Sequence, residues 1–366
     1  MRRSFLQLVI SPIMSCSSDS LHQTGKQMYL RNSWYVAALS SEIEEKLTAL
    51  RILGEDIVFY RTKNGEPVAL EDSCPHRRLP LSQGRLLNNN IECGYHGLQF
   101  NRSGQCVAAP TQNRIPPSAT VRSYPVADKL GLVWIWMGNP KNSDERLIID
   151  IDNYDSPAWE ITSGDSLTCA CNYQYLTDNL LDPSHVGWVH RSSFAAEGTD
   201  NTPLEIMETD KGLIVHRWIY DKKPPPFYEP LVKFKGNCDR LQHYEVQYPC
   251  TAINKGIYVP SGKGGPNLKV DDLAYIMISY NFLTPIDGNN TRYHWLQHRN
   301  TDINNKKLTA TIASGAKTAF LEDRKVLEAV HTGIANETNR HINLGLDSAS
   351  LQFRRNLKKL IDKESS

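Results

Sequence analysis

Short runs of alternating apolar and polar residues fill the first part of the chain, and this pattern predicts antiparallel β-structure. Residues 51–72 contain three strand-like runs, and Asn64-Gly65 between the last two is a strong hairpin signal. The alternating apolar run 131–138 predicts a closing strand. We therefore expect residues 28–140 to form a small antiparallel β-domain.

The second part of the chain mixes strand and helix patterns. Polar residues dominate 140–155, which reads as a linker between two domains. Helices are predicted at 172–190, 317–331 and 348–363. Strands are predicted within 159–175 and at 213–220, 243–249, 255–260, 273–285 and 292–298. Residues 141–366 should thus form a second domain of the α+β class, an antiparallel sheet with flanking helices of the helix-grip type.

The first 27 residues fit neither domain. They contain two arginines and a short apolar run broken by Pro12, without a small-residue cleavage site, and this makes a poor secretory signal. We expect residues 1–27 to be either a disordered extension or the result of a start assigned too early, with Met28 as the working start.

Length and composition indicate an ordinary globular protein. A chain of 366 residues suggests about two domains. The formal net charge of +1 gives no reason to expect binding to nucleic acid or to an anionic membrane. No apolar run approaches the ~20 residues of a membrane-spanning helix. Eight cysteines are too few for a disulfide scaffold, and a cytoplasmic, reducing location is expected.

Two cysteine–histidine pairs form the most specific motif. Cys74-x-His76 and Cys93-x-x-His96 are separated by sixteen residues, and both lie in loops between predicted strands. Two thiolates and two imidazoles can bind a structural zinc ion or a Rieske 2Fe–2S cluster. Zinc sites more often repeat a C-x-x-C knuckle. One Cys and one His from each loop therefore favours the Rieske cluster.

A second candidate metal site lies in the apolar helical segment 172–190. Asp182, His185 and His190 occur there as D-x-x-H-x-x-x-x-H. Buried imidazoles need partners, and a metal ion is one such partner. Two ordinary buried histidines would give the same pattern. Residues five apart on a regular helix diverge by about 140°, so joint ligation requires a distortion, which we expect near Gly187.

These motifs together resemble the oxygenase component of Rieske non-haem iron oxygenases. The segments CPHRRLPLSQG, CGYHGLQF and DNLLDPSHVGWVH carry the resemblance, together with FLEDRKVLEA and INLGLDSASLQFRR. The chain is most similar to the vanillate and dicamba O-demethylase group. Arg78 stands where the family usually has Gly, and Leu98 where many members have Trp. Leu79 and Tyr95 occupy the positions of the bracing cysteines of respiratory Rieske proteins, so that disulfide is absent.

The resemblance implies a complete set of metal ligands. It assigns the cluster to Cys74, His76, Cys93 and His96, and the mononuclear Fe(II) to His185, His190 and Asp323. Two histidines and one carboxylate form a facial triad that leaves positions open for O₂ and substrate. A helical wheel supports the acid independently, because it places Asp323 within an apolar arc of Phe320, Val326, Leu327 and Val330 with Glu322 at its edge.

Two further polar residues are implied in catalysis. In the family, the acid equivalent to Asp182 bridges an iron histidine to a Rieske histidine of the neighbouring subunit, here His185 and His96. Asn179, one helical turn before it, is expected near the iron without binding it.

The resemblance also implies the activity and the partners. The protein should be the terminal oxygenase of a multicomponent Rieske monooxygenase, most simply removing the methyl group of a methoxylated aromatic acid such as vanillate with O₂. The chain contains neither a G-x-G-x-x-G fingerprint nor a C-x₄-C-x₂-C run, so electrons from NAD(P)H should come from a separate flavin or ferredoxin-type reductase. A homotrimer is implied.

Other activities remain compatible with the same metals. One is a ring-hydroxylating dioxygenase or a side-chain hydroxylase. Another is a Rieske electron carrier without oxygenase chemistry, although ~220 residues beyond the cluster domain would then have no role.

Overall fold

A computed structural model describes residues 28–162, 164–199, 202–336 and 341–365. The predicted N-terminal extension, residues 1–27, lies outside them. All strand pairs are antiparallel, and the few helices follow or interrupt strands. These features confirm the predicted α+β class.

The N-terminal part forms three small sheets, with strand orders β1-β11-β10, β2-β3-β4-β9 and β5-β6-β7-β8. The hairpin predicted at Asn64-Gly65 joins β3 to β4, and the run 131–138 contains β11. The strands are β1 (Trp34–Leu39), β2 (Thr48–Ile52), β3 (Glu55–Arg61), β4 (Pro67–Glu71), β5 (Arg85–Leu87), β6 (Asn90–Glu92), β7 (Gln99–Phe100), β8 (Cys106–Ala108), β9 (Ser123–Tyr124), β10 (Val126–Lys129) and β11 (Leu132–Trp136).

The C-terminal part is built on one large sheet of eight strands, in the order β12-β19-β18-β17-β16-β15-β14, with β13 also paired to β19. Each strand run predicted in this half overlaps an observed strand, whereas the strand at Glu205–Thr209 was not predicted. The strands are β12 (Glu160–Ile161), β13 (Asp165–Cys169), β14 (Glu205–Thr209), β15 (Gly212–Lys222), β16 (Cys238–Gln247), β17 (Thr251–Pro260), β18 (Tyr275–Pro285) and β19 (Thr291–Arg299).

Four α-helices accompany the large sheet: α1 (Tyr173–Leu181), α2 (Val186–Val189), α3 (Lys306–Ala335) and α4 (Ser348–Glu364). Helix α4 matches the prediction closely. Helix α3 begins eleven residues before the predicted start at 317. The prediction missed these first turns because they contain several Thr, Ser and Gly residues, which are weak helix formers. The Asn305 side chain caps it by accepting a hydrogen bond from the Leu308 amide at 3.0 Å.

The large sheet is covered on both faces because its strands alternate between two apolar sets. One face packs on the β1-β11-β10 sheet, where Trp134 meets Phe282 edge-on with ring centroids 5.3 Å apart. The other face packs on α1, α3 and α4, with Phe320 and Phe353 buried against it. A space between this second face and the helices holds the candidate site.

The segment 140–155 does connect the two halves, but it is not a free linker. It contains two 3-10 helices, Pro140–Asn142 and Glu145–Leu147. Ile148 and Ile151 are buried in the cluster that includes Trp34. Because the segment is rich in Asn and Asp, its composition gave no sign that Ile148 and Ile151 would be buried. Among the described residues, no helix is both long and apolar enough to cross a lipid bilayer.

Candidate active site

Two neighbouring loops bring together the four predicted cluster ligands. Cys74 follows β4, and Cys93 directly follows β6. Both cysteines are buried, with their thiols in hydrogen-bond contact, while the rings of His76 and His96 lie at the loop tips with centroids 4.5 Å apart. The loops therefore place sulfur inside and imidazole outside.

Each of the two loops contains the same kind of backbone turn. The Arg78 amide donates to the Cys74 carbonyl at 2.8 Å, and the Gly97 amide donates to the Cys93 carbonyl at 3.0 Å. Arg78 and Gly97 have φ of 61° and 72°, in the left-handed region that favours glycine. The positive φ explains why glycine is usual at position 78, and an arginine there costs about 1 kcal/mol of backbone strain.

The loop geometry fits a 2Fe–2S cluster held by two sulfur and two nitrogen atoms. Nδ1 of His96 is buried and has no hydrogen-bond partner among the described residues. A buried nitrogen without a partner is costly, and an iron ligand bond would satisfy it.

The predicted helix 172–190 is broken, but not near Gly187. Helix α1 ends at Leu181, and Asp182 leaves the helical region with φ −108° and ψ 95°. Pro183 is the cause, since it disfavours helical geometry in the preceding residue and lacks an amide donor. Gly187 lies inside the short helix α2, where an added Cβ would meet nothing within 4 Å. The break thus occurs before His185.

His185, His190 and Asp323 lie close enough to bind one metal ion. Their ligand atoms are all within 4.8 Å of one another. Oδ1 of Asp323 is 3.2 Å from Nε2 of His190 and 3.6 Å from Nε2 of His185. Adjacent ligands of an octahedral ion at about 2.1 Å are themselves about 3 Å apart.

The electrostatics of this group also fit a cation. Oδ1 of Asp323 is buried and accepts no hydrogen bond from the described residues. Burial opposes protonation of His190, but the carboxylates of Asp323 and Glu322 raise its pKa overall. A buried carboxylate beside two imidazoles is stabilised by a divalent ion, and a nitrogen–oxygen donor set with open positions suits non-haem iron.

Each histidine of the group has a different partner on Nδ1. Nδ1 of His185 contacts the backbone carbonyl of Asp182, whereas Nδ1 of His190 lies 2.7 Å from Oε2 of Glu322. The sequence reasoning placed Glu322 at the edge of the apolar arc and gave it no role. Its position directly before Asp323, on a helix, was the available signal.

The predicted catalytic residues lie at the end of α1. The Asp182 carboxylate accepts a hydrogen bond from the Ser184 amide at 2.8 Å and contacts the Ser184 hydroxyl through the same oxygen, Oδ1. Asn179 is half-buried in the last turn, where its carbonyl accepts from the Asp182 amide at 3.2 Å. Asp182 contacts His185 through its backbone carbonyl rather than its side chain. Asn179 does not line the cavity that lies beside His185, His190 and Asp323.

A cavity of about 140 Å³ opens in front of the three-residue group. Phe194, Phe227 and Phe320 provide apolar wall, and Tyr244 and Tyr258 add phenol rings. The ring of Phe227 can approach α3 closely because Gly315 has no Cβ, which would lie 2.4 Å from that ring. An aromatic-lined cavity beside a metal site suits a planar organic substrate.

Family models match both parts of the chain. The model of the Rieske 2Fe–2S domain matches residues 33–125. The model of the vanillate O-demethylase oxygenase C-terminal domain matches residues 169–363.

Individual proteins give the same picture. An iron–sulfur subunit of the toluene-4-sulfonate monooxygenase system of Comamonas testosteroni is 36% identical over 82% of this chain and 88% of its own length. The vanillate O-demethylase oxygenase subunit of a Pseudomonas species is 31% identical over 92% of this chain and 96% of its own. The crystal structure of dicamba monooxygenase bound to 3,6-dichlorosalicylic acid superposes with a TM-score of 0.84, at 30% identity, over 92% of this chain and 99% of that one.

Proposed function

We propose, on the premise that this chain belongs to the vanillate O-demethylase family of Rieske oxygenase components, that it removes the methyl group of a methoxylated aromatic acid. Membership of the family confirms the predicted resemblance, the Rieske domain and the oxygenase class. It disfavours the electron-carrier alternative, since the chain is an oxygenase component. The substrate and the roles of individual residues are our proposal.

One observation supports the proposal above the others: His185, His190 and Asp323 line the aromatic cavity. We assign these three residues to the mononuclear iron, and Cys74, His76, Cys93 and His96 to the cluster. When bound, the cluster supplies single electrons and the iron activates O₂. The chain's own residues hold the substrate's methoxyl group beside the triad, and the apolar cavity walls keep bulk water away. One oxygen atom of O₂ would be inserted into the methoxyl C–H bond to give a hemiacetal, while two electrons from the reductase and two protons would reduce the other atom to water. The hemiacetal then breaks down to a phenol and formaldehyde.

A second activity is favoured by one relative. The toluene-4-sulfonate monooxygenase system acts, by its name, on an aryl sulfonate that carries a methyl group rather than a methoxyl group. The same cavity and triad would hydroxylate such a methyl group. The product would then be an alcohol, without release of formaldehyde.

A substrate panel separates these activities. Purified protein with an NADH-dependent reductase should couple NADH consumption to formaldehyde release with methoxybenzoates such as vanillate. Toluene-4-sulfonate should give the benzylic alcohol if methyl hydroxylation is the activity. NADH oxidation without either product from any panel member would count against both proposals.

We propose three features of the working assembly. The electron donor is a separate flavin or ferredoxin-type reductase. The location is the cytoplasm, where NAD(P)H is available to that reductase. The protein works as a homotrimer in which the loop tips that carry His76 and His96 of one subunit face the surface around Asp182 of the next. Trp188, which is 69% exposed, belongs to that surface.

Glu322 offers a test of the iron site that does not require turnover. Its carboxylate orients His190 and increases the donor strength of that ring. Glu322→Leu should therefore weaken Fe(II) binding about 10- to 100-fold. Glu322→Gln keeps an acceptor for the imidazole N–H, so it should recover most of the affinity.

The measurement is a titration of iron-depleted protein with Fe(II), followed by the change in tryptophan fluorescence. Glu328→Gln, six residues further along α3, changes the charge equally and should bind iron like the wild type. Equal Fe(II) affinity in Glu322→Leu and the wild type would show that Glu322 does not contribute to iron binding.

A further inference from the structure

The substrate cavity contains polar residues whose role the metal chemistry does not explain. Strand pairing places Gln242 and Tyr244 of β16 on the cavity face of the sheet, beside Asn254 and Gly256 of β17. Lys255 contributes to the wall between these two, but alternation directs its side chain to the opposite face, where it pairs with His243. The Lys255 side chain therefore points away from the cavity.

The orientation of the Gln242 carboxamide is fixed by Arg217, its cross-strand partner on β15. Nε of Arg217 donates to Oε1 of Gln242 at 2.7 Å. A guanidinium nitrogen can only donate, so the amide oxygen must face Arg217 and the NH₂ group must face away from it. Gln242 lines the cavity, and the NH₂ group is the end of its carboxamide that Arg217 does not hold.

The other cavity amides have their NH₂ groups engaged inside the protein. Nδ2 of Asn254 donates to the Leu180 carbonyl at 3.2 Å, and Nε2 of Gln297 donates to the Ser279 hydroxyl at 3.3 Å. Within the part of the chain that the structure describes, Nε2 of Gln242 has no such acceptor. It is therefore the amide donor available to a ligand.

A second hydrogen-bond donor lies beside Gln242. The register partner of Gln242 on β17 is Gly256, and the Tyr258 ring lies over that glycine, 3.0 Å from where a Cβ would stand. Tyr244, two residues along the same strand and face, presents a phenol to the same cavity. Burial, and secondarily the nearby Tyr228 phenol, raises the pKa of Tyr244, so its hydroxyl remains a neutral donor.

We propose that Gln242, oriented by Arg217, binds the carboxylate or sulfonate oxygen of the aromatic acid, with Tyr244 as a second donor. Hydrogen bonds to a charged acceptor are about twice as strong as neutral ones. The positive charge of Arg217 behind the amide polarises its N–H bonds further. The inference rests on the proposed function, and it names the head group by which this site selects substrates.

Binding of unreactive ligands tests this separately from catalysis. The experiment is calorimetric titration of the protein containing both metals with benzoate, benzenesulfonate and uncharged benzyl alcohol. Gln242→Glu keeps the size of the side chain and the acceptor for Arg217, but it replaces both donors with a negative oxygen. Binding of the anions should weaken by about 30-fold or more, because a charged hydrogen bond is lost and a like charge is added. Benzyl alcohol can donate to Glu or accept from Gln, so its affinity should change by less than about threefold.

Gln105→Glu, an exposed residue of the N-terminal domain, is the charge-matched control and should bind all three ligands like the wild type. Weakening of one anion only identifies the preferred head group and supports the proposal. Unchanged anion binding in Gln242→Glu, or an equal loss for benzyl alcohol, overturns it. A wild-type protein that releases no formaldehyde from any methoxybenzoate, but shows this discrimination, would refute the O-demethylase proposal and leave the anion site standing.

Discussion

Replacing His185 by alanine should remove the mononuclear iron and abolish turnover while leaving the cluster intact. His185 is one of three candidate ligands whose atoms lie within 4.8 Å of one another, and the two that remain would hold iron poorly. The iron content should fall from about three to about two atoms per chain. The cluster ligands come from separate loops of the N-terminal domain, so the visible spectrum should not change.

His216→Ala is the matched control for this substitution. His216 is a half-buried histidine on β15, and it belongs to neither group of candidate ligands. This variant should keep both the iron content and the turnover of the wild type. Turnover by His185→Ala at more than a few per cent of the wild-type rate would contradict the assignment of His185.

Replacing Asp182 by asparagine should leave both metal sites filled but lower turnover by about 100-fold. The contacts of the Asp182 carboxylate with Ser184 use only Oδ1. An asparagine can keep its oxygen at that position, but it then presents NH₂ where Oδ2 was. An NH₂ group cannot accept a hydrogen bond from an imidazole N–H, so the proposed bridge to the partner subunit's His96 is lost.

Single-turnover kinetics measure this effect. In the wild type, a chemically reduced cluster should be reoxidised rapidly when substrate and O₂ are added. In Asp182→Asn it should stay reduced, with the iron content unchanged. Asp178→Asn, one turn earlier on α1 and paired with Arg354, controls for loss of charge on this helix and should retain rapid reoxidation. Equal reoxidation rates in Asp182→Asn and the wild type would argue against any role of Asp182 between the two metals.

Much of the fold could be predicted because strand periodicity and hairpin turns are local. Alternating runs indicated all strands of the large sheet except β14, and the Asn64-Gly65 turn was found where predicted. The start of α3 could not be predicted in the same way. Residues 306–316 have weak helix propensity, and it is packing of Ile312 and Ala316 against the sheet and loops that stabilises them.

The candidate ligands could be identified because their spacing reflects chemistry, whereas their surroundings depend on tertiary contacts. The helical wheel around Asp323 was correct for Phe320 and Leu327 but wrong for Val326 and Val330, which are 41% and 39% exposed. A wheel gives the angle between side chains but not the direction of the neighbouring element. The buried face instead runs through Ile312, Ala316, Ala319, Phe320, Asp323 and Leu327.

The position of the helix break was within reach of sequence reasoning. Pro183 is a stronger helix breaker than Gly187, and its effect on Asp182 follows from steric rules alone. The cavity-facing set was out of reach, because Gln242 and Gly256 become neighbours only through the β16–β17 register. A shift of β16 by one residue in this register would have turned the Gln242 side chain to the opposite face of the sheet.

Iron and sulfide analysis of the purified wild-type protein tests the central claim most directly, namely that one chain combines a Rieske cluster with a separate mononuclear iron. We expect about three irons and about two acid-labile sulfides per chain, with one iron removed by mild chelation while the cluster spectrum persists. About two irons and two sulfides, with no loss of iron on chelation, would mean a cluster protein without the second metal. That result would contradict the assignment of His185, His190 and Asp323.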